Sequence, residues 1–207
     1  MNCPYIYVAP RWLISIMLIG GHIYHRRSIR LPEHDYSSPG IYFITICLQD
    51  RACLLGGVAA GTIRLSESGI IAENCWQAIP GRFPGTRLDD YVIMPNHVHG
   101  IIVMKGNGDH AGVIHGLSPR MRRRTMMLPK IIGHFKMNTA KRINQMRRMP
   151  GRAVWQRNYY EHVVRNDMAL NKIREYIRNN PRHWSSDVEN PEYSGNPITG
   201  HYKGVVH

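Results

Sequence analysis

Residues 91–104 read Tyr91-Val-Ile-Met-Pro-Asn-His-Val-His-Gly-Ile-Ile-Val-Met104. Two apolar runs rich in β-branched residues flank the turn-forming pair Pro95-Asn96, which predicts a β-hairpin. The second run opens with His97-Val98-His99. Alternate residues of a strand share a face, so the two imidazoles are expected side by side. Neutral imidazole is a common metal ligand, and two on a rigid strand supply most of a small metal site. Taken alone, such a pair more often sits half-exposed on a solvated sheet face. The surrounding chain has to decide between the two.

With 207 residues the chain can bury one sizeable core and carry appended arms. Its net charge is +13, and the excess is local. Residues 110–160 contain no Asp or Glu; residues 120–157 hold 12 of the 27 Lys and Arg, and the other 15 nearly balance the 14 acids. A basic block of this kind is a polyanion-binding footprint, with nucleic acid as the leading partner and an anionic membrane surface second. Cys3, Cys47, Cys53 and Cys75 show neither CxxC nor zinc spacing and read as reduced thiols of a cytosolic protein. No run reaches the ~18 apolar residues of a membrane span, so no membrane partner is expected. The apolar run at residues 12–19 has the look of a weak signal-peptide core, but the basic remainder argues against export. The expected location is cytoplasmic, at the nucleoid.

Residues 1–24 read as a poorly ordered arm, consistent with an over-extended translation start. A first strand is predicted at 41–48, a loop at 51–61 and a short strand at 62–65. Ser66 opens a helix to about residue 79, with Ile70, Ile71, Asn74, Cys75 and Ala78 at helical spacing and Pro80-Gly81 as its stop. The hairpin strands are 87–94 and 97–104, followed by a glycine-rich basic loop over 105–127. A helix over 128–146 carries the stripe Ile131, Ile132, Phe135, Thr139 and Ile143. A bent strand follows at 154–164, then a helix capped by Asn166 or Asp167 that reaches about residue 180 and is closed by Pro181. The tail from 185 is irregular. This order predicts an α+β fold: a ferredoxin-like antiparallel sheet with helices packed on one face, plus basic loops and irregular termini.

The last helix holds the other candidate chemistry. Leu170, Ile173 and Ile177 form its apolar centre, and Tyr176 and Asn180 lie one turn apart on one edge of that stripe. A tyrosine at such an edge is most often a packing residue. Phenoxide is nevertheless both a usable attacker and a good leaving group at a phosphodiester, given a cation to spread the developing charge. His97 and His99 would anchor that cation, with Asn180 offering an amide oxygen. A hard ion, Mg2+ or Mn2+, would keep its other positions for water and phosphate. Tyr159 and Tyr160 are also open as nucleophiles, and Glu161 and His162 as helpers of the metal shell.

Five ordered blocks carry a resemblance: His25-Arg-Arg-Ser-Ile-Arg-Leu-Pro32, Tyr42-Phe-Ile-Thr-Ile-Cys47, Tyr91-Val-Ile-Met-Pro-Asn-His-Val-His-Gly100, Trp155-Gln-Arg-Asn-Tyr-Tyr-Glu-His162 and Glu175-Tyr-Ile-Arg-Asn-Asn-Pro181. Together they resemble the single-tyrosine HUH transposases, named for a His-hydrophobic-His motif, and most closely the branch of REP-associated tyrosine transposases. The resemblance covers about residues 25–184, which sets the expected domain, with 185–207 as a tail. It implies a protein that binds DNA hairpins and cuts single-stranded DNA beside them through a 5′-phosphotyrosine. On that implication Tyr176 is the nucleophile, and His97, His99 and Asn180 hold a divalent ion. The family includes monomers and homodimers. No ATP is needed, and no GxxxxGK[ST] loop occurs.

DNA contacts are expected from Arg120, Arg122, Arg123 and Arg124 in the basic loop and from Lys136, Lys141 and Arg142 on the helix. Arg26, Arg27 and Arg30 in the N-terminal segment are further candidates. Exposed Tyr and Trp side chains are suited to stack unpaired bases. Two other readings stand beside this one. A domesticated hairpin-DNA-binding protein would share the basic surface and lack the chemistry. A metal hydrolase would use water and leave no tyrosine linkage; no carboxylate adjoins the two histidines to favour it.

Overall fold

Strand β1 (Gly40–Cys47) is buried on both of its faces from Tyr42 onward, which marks an interior strand. The computed structural model describes residues 35–105, 126–187 and 189–193, all within a unit spanning residues 30–193. Downstream of β1, a small separate hairpin is formed by β2 (Gly56–Ala59) and β3 (Thr62–Leu65). Helix α1 (Glu67–Gln77) follows, then β4 (Thr86–Ile93), β5 (His97–Met104), α2 (Met127–Met146), β6 (Tyr160–Val164) and α3 (Asp167–Asn179). The four long strands form one antiparallel sheet in the order β4-β5-β1-β6. A β-α-β-β-α-β chain with that strand order is the ferredoxin-like arrangement expected from the sequence.

The two sheet faces are divided by strand alternation. Tyr42, Ile44 and Ile46 of β1 and Val98 and Ile102 of β5 point to one face, where they pack with Trp76 of α1 and Leu128, Ile131, Ile132 and Phe135 of α2. Phe43, Thr45, His97, His99 and Ile101 take the opposite parity. The helices that build the main core thus share one face. Helix α3 lies across the other, burying Leu170, Ile173 and Ile177, with Tyr176 edge-on to Phe43 at a centroid distance of 6.2 Å. Asn166 caps α3 by accepting from the Ala169 N–H at 2.8 Å, and Ser66 caps α1 by accepting from the Gly69 N–H at 3.1 Å.

Several local expectations give way. The buried face of α1 is Ser68, Gly69, Ala72 and Trp76, while Ile70 is 48% exposed. The large indole sets the orientation, and small residues let the helix approach the Leu55 carbonyl and the sheet. Pro80-Gly81 does not stop helical structure, because a separate turn spans Ile79–Arg82. Proline is tolerated there because a first-turn N–H has no helical acceptor. The loop at 51–61 contains β2, joined to β3 by Ala60 (φ 49°) and Gly61 (φ 70°), the paired positive angles of a two-residue hairpin turn. The bent strand predicted at 154–164 is regular only from Tyr160. Trp155 makes an isolated bridge to Leu48, and Lys136 draws the carbonyls of Gln156, Arg157 and Asn158 onto its ammonium at 2.5, 3.0 and 3.4 Å. Carbonyls turned inward in this way cannot continue a ladder.

No helix among the described residues is long and apolar enough to cross a membrane.

Candidate active site

Strand β5 emerges from the Pro95-Asn96 turn with His97 and His99 fully enclosed, at 0% and 2% exposure. They are therefore not a solvated pair. Their ring centroids are 4.4 Å apart. His99 is oriented from both sides: Nδ1 lies 2.8 Å from the hydroxyl of Thr45, its register partner on β1, and Nε2 lies 3.2 Å from the Tyr176 hydroxyl. His97 Nδ1 lies 2.8 Å from the side-chain oxygen of Asn96. Asn180, 2% exposed, continues α3 with helical angles (φ −54°, ψ −43°), which keeps it one turn beyond Tyr176. The structure thus brings together all four residues singled out for chemistry.

Burial pushes the His97 imidazole below the ordinary histidine range, with Arg51 assisting and Asp187 and Asn180 opposing. Burial pushes His99 down further, and the neighbouring His97 adds to it. Both rings are neutral at neutral pH and carry a lone pair each. Two buried polar atoms here, His97 Nε2 and Asn180 Oδ1, make no well-formed hydrogen bond, although Asn180 is near enough to accept from His97 when the ring is charged. Orphaned polar atoms of this kind are rare in an enclosed site and call for an explanation such as an ion. Two imidazoles and an amide oxygen fit the coordination of a divalent cation that keeps open positions. Among the described residues no group of three His, Cys, Asp or Glu is assembled.

Helix α3 is held onto the sheet by ion pairs on either side of Tyr176. A bulge between Leu88 and Tyr91 of β4 breaks the alternation, so that Asp89 and Asp90 both reach the helix. Asp89 accepts two bonds from Arg174, from Nε at 2.9 Å and from Nη2 at 2.7 Å. Asp90 pairs with Arg178 Nε at 2.7 Å. The Arg174 guanidinium holds the Asp89 carboxyl at about 2, below its usual range.

The family profile described as "Transposase IS200 like" matches residues 101–180. An uncharacterised protein of Haemophilus influenzae is 38% identical over 169 residues, which is 80% of this chain and 93% of that relative. The chain belongs to the IS200-like transposase family. A second Haemophilus influenzae protein, named as a putative REP-associated tyrosine transposase, is 28% identical over 149 residues, covering 72% of this chain and 74% of its own. Among solved structures, a REP-associated tyrosine transposase bound to a REP hairpin superposes with a TM-score of 0.45 at 20% identity, covering 78% of this chain and 73% of that one. The matched transposase span contains Tyr176 and Asn180 and begins two residues after His99.

The remaining transposase candidates are dispersed. Tyr160 is 3% exposed and packs edge-on to Phe43, with its hydroxyl pushed well above the usual range by burial. The Tyr176 hydroxyl reaches a motif histidine. Lys136 is committed to the three backbone carbonyls already described. Its ammonium already has an internal role in holding those carbonyls. Lys141 and Arg142 are exposed, but on α2, across the sheet from the histidines. Arg26, Arg27, Arg30, Arg120, Arg122, Arg123 and Arg124 lie outside the described residues. Sequence reasoning missed Thr45, Asn96 and Glu189. Thr45 was legible only through the register with His99, and Asn96 was read as a turn former. Glu189 lies in the tail expected to be irregular, yet it is 6% exposed and ion-paired with Arg51 at 3.3 Å.

Proposed function

We propose that this chain is a metal-dependent single-stranded DNA endonuclease and strand transferase that acts beside DNA hairpins through a 5′-phosphotyrosine intermediate. The observation that carries the reading is the meeting of the Tyr176 hydroxyl with His99 Nε2 at 3.2 Å, beside the unpartnered His97 Nε2 and Asn180 Oδ1. The residue that would attack and the atoms that would hold an ion converge on one point. Membership of a transposase family supports the reaction class.

In this reading His97, His99 and Asn180 hold Mg2+ or Mn2+, which when bound would offset charge on the phosphate oxygens. Tyr176 Oη attacks a backbone phosphorus, forming an O–P bond as the bond to the 3′-oxygen breaks. The 3′-oxygen leaves with the electron pair and takes up a proton; the phenol gives up its own. The phosphodiester energy is kept in the tyrosine ester, so a 3′-hydroxyl can later reverse the step and rejoin strands. The pairs Arg174–Asp89 and Arg178–Asp90 keep the phenol at the histidines. Lys141 and Arg142, with the basic segment 120–124, would neutralise phosphates away from the reacting bond.

The test is an adduct assay on labelled single-stranded DNA hairpins with Mg2+ or Mn2+. Wild type should form a covalent protein–DNA species that is lost with chelator. Tyr176→Phe should abolish it, and a persisting adduct would show that another residue is the nucleophile. His97→Gln with His99→Gln should abolish cleavage while leaving most hairpin binding. Salt-sensitive binding with no adduct under either metal would instead indicate a DNA-binding protein without chemistry.

A further inference from the structure

Asn96 is 1% exposed in the β4–β5 turn. Its amide nitrogen donates to the carbonyl of Arg51 at 3.2 Å and to that of Glu189 at 2.6 Å. Two carbonyl acceptors settle which end of the amide is nitrogen, since the reverse orientation would set oxygen against oxygen twice. The amide oxygen therefore faces His97 Nδ1, at 2.8 Å. An amide oxygen can only accept, so Nδ1 carries the ring proton. A neutral imidazole has one such proton, and Nε2 is left with a bare lone pair. That nitrogen is the buried, unpartnered one beside Asn180.

Thr45 does not do the same for His99. A hydroxyl donates or accepts as required, so its contact with Nδ1 at 2.8 Å is compatible with either tautomer. The turn itself is pinned from the backbone side, with the Leu48 N–H donating to the Asn96 carbonyl at 2.8 Å.

We propose that Asn96 is a positioning residue that selects the ion-binding tautomer of His97, and that it does so through an amide locked by the Arg51 and Glu189 carbonyls. The assignment rests on the reading of His97 as a ligand. It also gives the 189–193 segment a role, because the Glu189 carbonyl is one of the two acceptors that lock the amide. Outer residues that orient a ligating histidine typically change metal affinity by about 10–100-fold when removed.

The test is 15N NMR of the histidine rings in the ion-free protein, with the His97 signals assigned by their loss in His97→Gln. Wild type should show His97 protonated at Nδ1 and bare at Nε2. Asn96→Ala should mix the two tautomers and weaken Mn2+ binding, measured by titration calorimetry, by about 10–100-fold. A wild-type His97 protonated at Nε2 overturns the proposal, and that measurement needs no variant to fold. A folded Asn96→Ala protein with the wild-type tautomer and Mn2+ affinity within about twofold of wild type also overturns it. If the tautomer and the Mn2+ response behave as expected but no DNA adduct forms, the strand-transfer reading fails while the role of Asn96 is supported.

Discussion

Gly100 immediately follows His99, and a Cβ at that position would lie 2.3 Å from Cζ2 of Trp76 and 3.0 Å from Cε2 and Cη2. Ordinary carbon contacts are about 3.5–4.0 Å, so Gly100→Ala demands that indole and strand separate by more than about 1 Å. The indole is fully buried and stands edge-on against Phe135 at a centroid distance of 5.3 Å, so it has no open side to move toward. Two effects oppose each other. Replacing a strand glycine by alanine normally gains about 0.5–1 kcal/mol from reduced chain entropy. Overpacking a dense core costs about 1–3 kcal/mol. The contact distance decides for overpacking, and the expected outcome is a net loss of about 1–2 kcal/mol. Urea denaturation of the purified protein reads it as a lowered midpoint with an unchanged slope. The double variant Trp76→Phe/Gly100→Ala separates the clash from a generic strand effect. Trp76→Phe alone should destabilise, and on that background Gly100→Ala should cost nothing or gain. A Gly100→Ala protein as stable as wild type, or a penalty undiminished by Trp76→Phe, would refute the reasoning.

The Asp89–Arg174 pair makes a pH-dependent contribution. Asp89 is held at about 2 in the folded chain, below the unfolded value of about 3.9, so its stabilisation is full above about pH 4. It is lost as pH falls from about 4 to about 2. Asp89→Asn should cost about 1–2 kcal/mol at pH 7, allowing for the partial exposure of Arg174, and should flatten the acid limb of a stability–pH curve; an unchanged limb would remove Asp89 from the account. Lys136→Met should lower stability by about 1–3 kcal/mol through the carbonyls it abandons and leave the salt dependence of hairpin binding unchanged. Lys141→Ala or Arg142→Ala should do the reverse, each reducing the slope of log K against log salt by about 1 with little change in melting temperature.

The long elements were legible because their periodicities are strong. Residues 41–48, 87–94 and 97–104 read as strands, and 128–146 and 167–180 as helices, and the sheet order that joins the strands is ferredoxin-like. What escaped depends on partners distant in sequence. The face of α1 was misjudged because Ile70 looks like core by composition, whereas the Trp76 indole and the small residues Gly69 and Ala72 set the packing. The break in the strand at 154–164 depends on Lys136, some twenty residues away. At the site, the His-x-His pair and the Tyr176/Asn180 edge were visible as patterns. Their convergence was not, because it requires the bulge that turns both Asp89 and Asp90 toward α3. The Asn96 contact to Glu189 spans 93 positions and has no local signal.

The two parities of β5 do different work, and one constrains the other. Val98 and Ile102 enter the main core while His97 and His99 face α3. A slip of one residue would send both imidazoles into the apolar core and expose the site to Val98, a change that burial energetics oppose strongly. A slip of two residues is the subtler error, because it preserves the faces and the alternation. It would, however, bring Val98 or Ile102 beneath the Trp76 ring, where even a Cβ added at Gly100 would lie 2.3 Å from the indole. The interlock of Gly100 with Trp76 therefore excludes the slip that hydrophobic patterning tolerates. It thereby holds His99 opposite Thr45 and under the Tyr176 hydroxyl. Core packing on one side of the sheet thus sets the geometry of the polar cluster on the other, so damage at Gly100 should reach His99 while leaving its own contacts chemically intact.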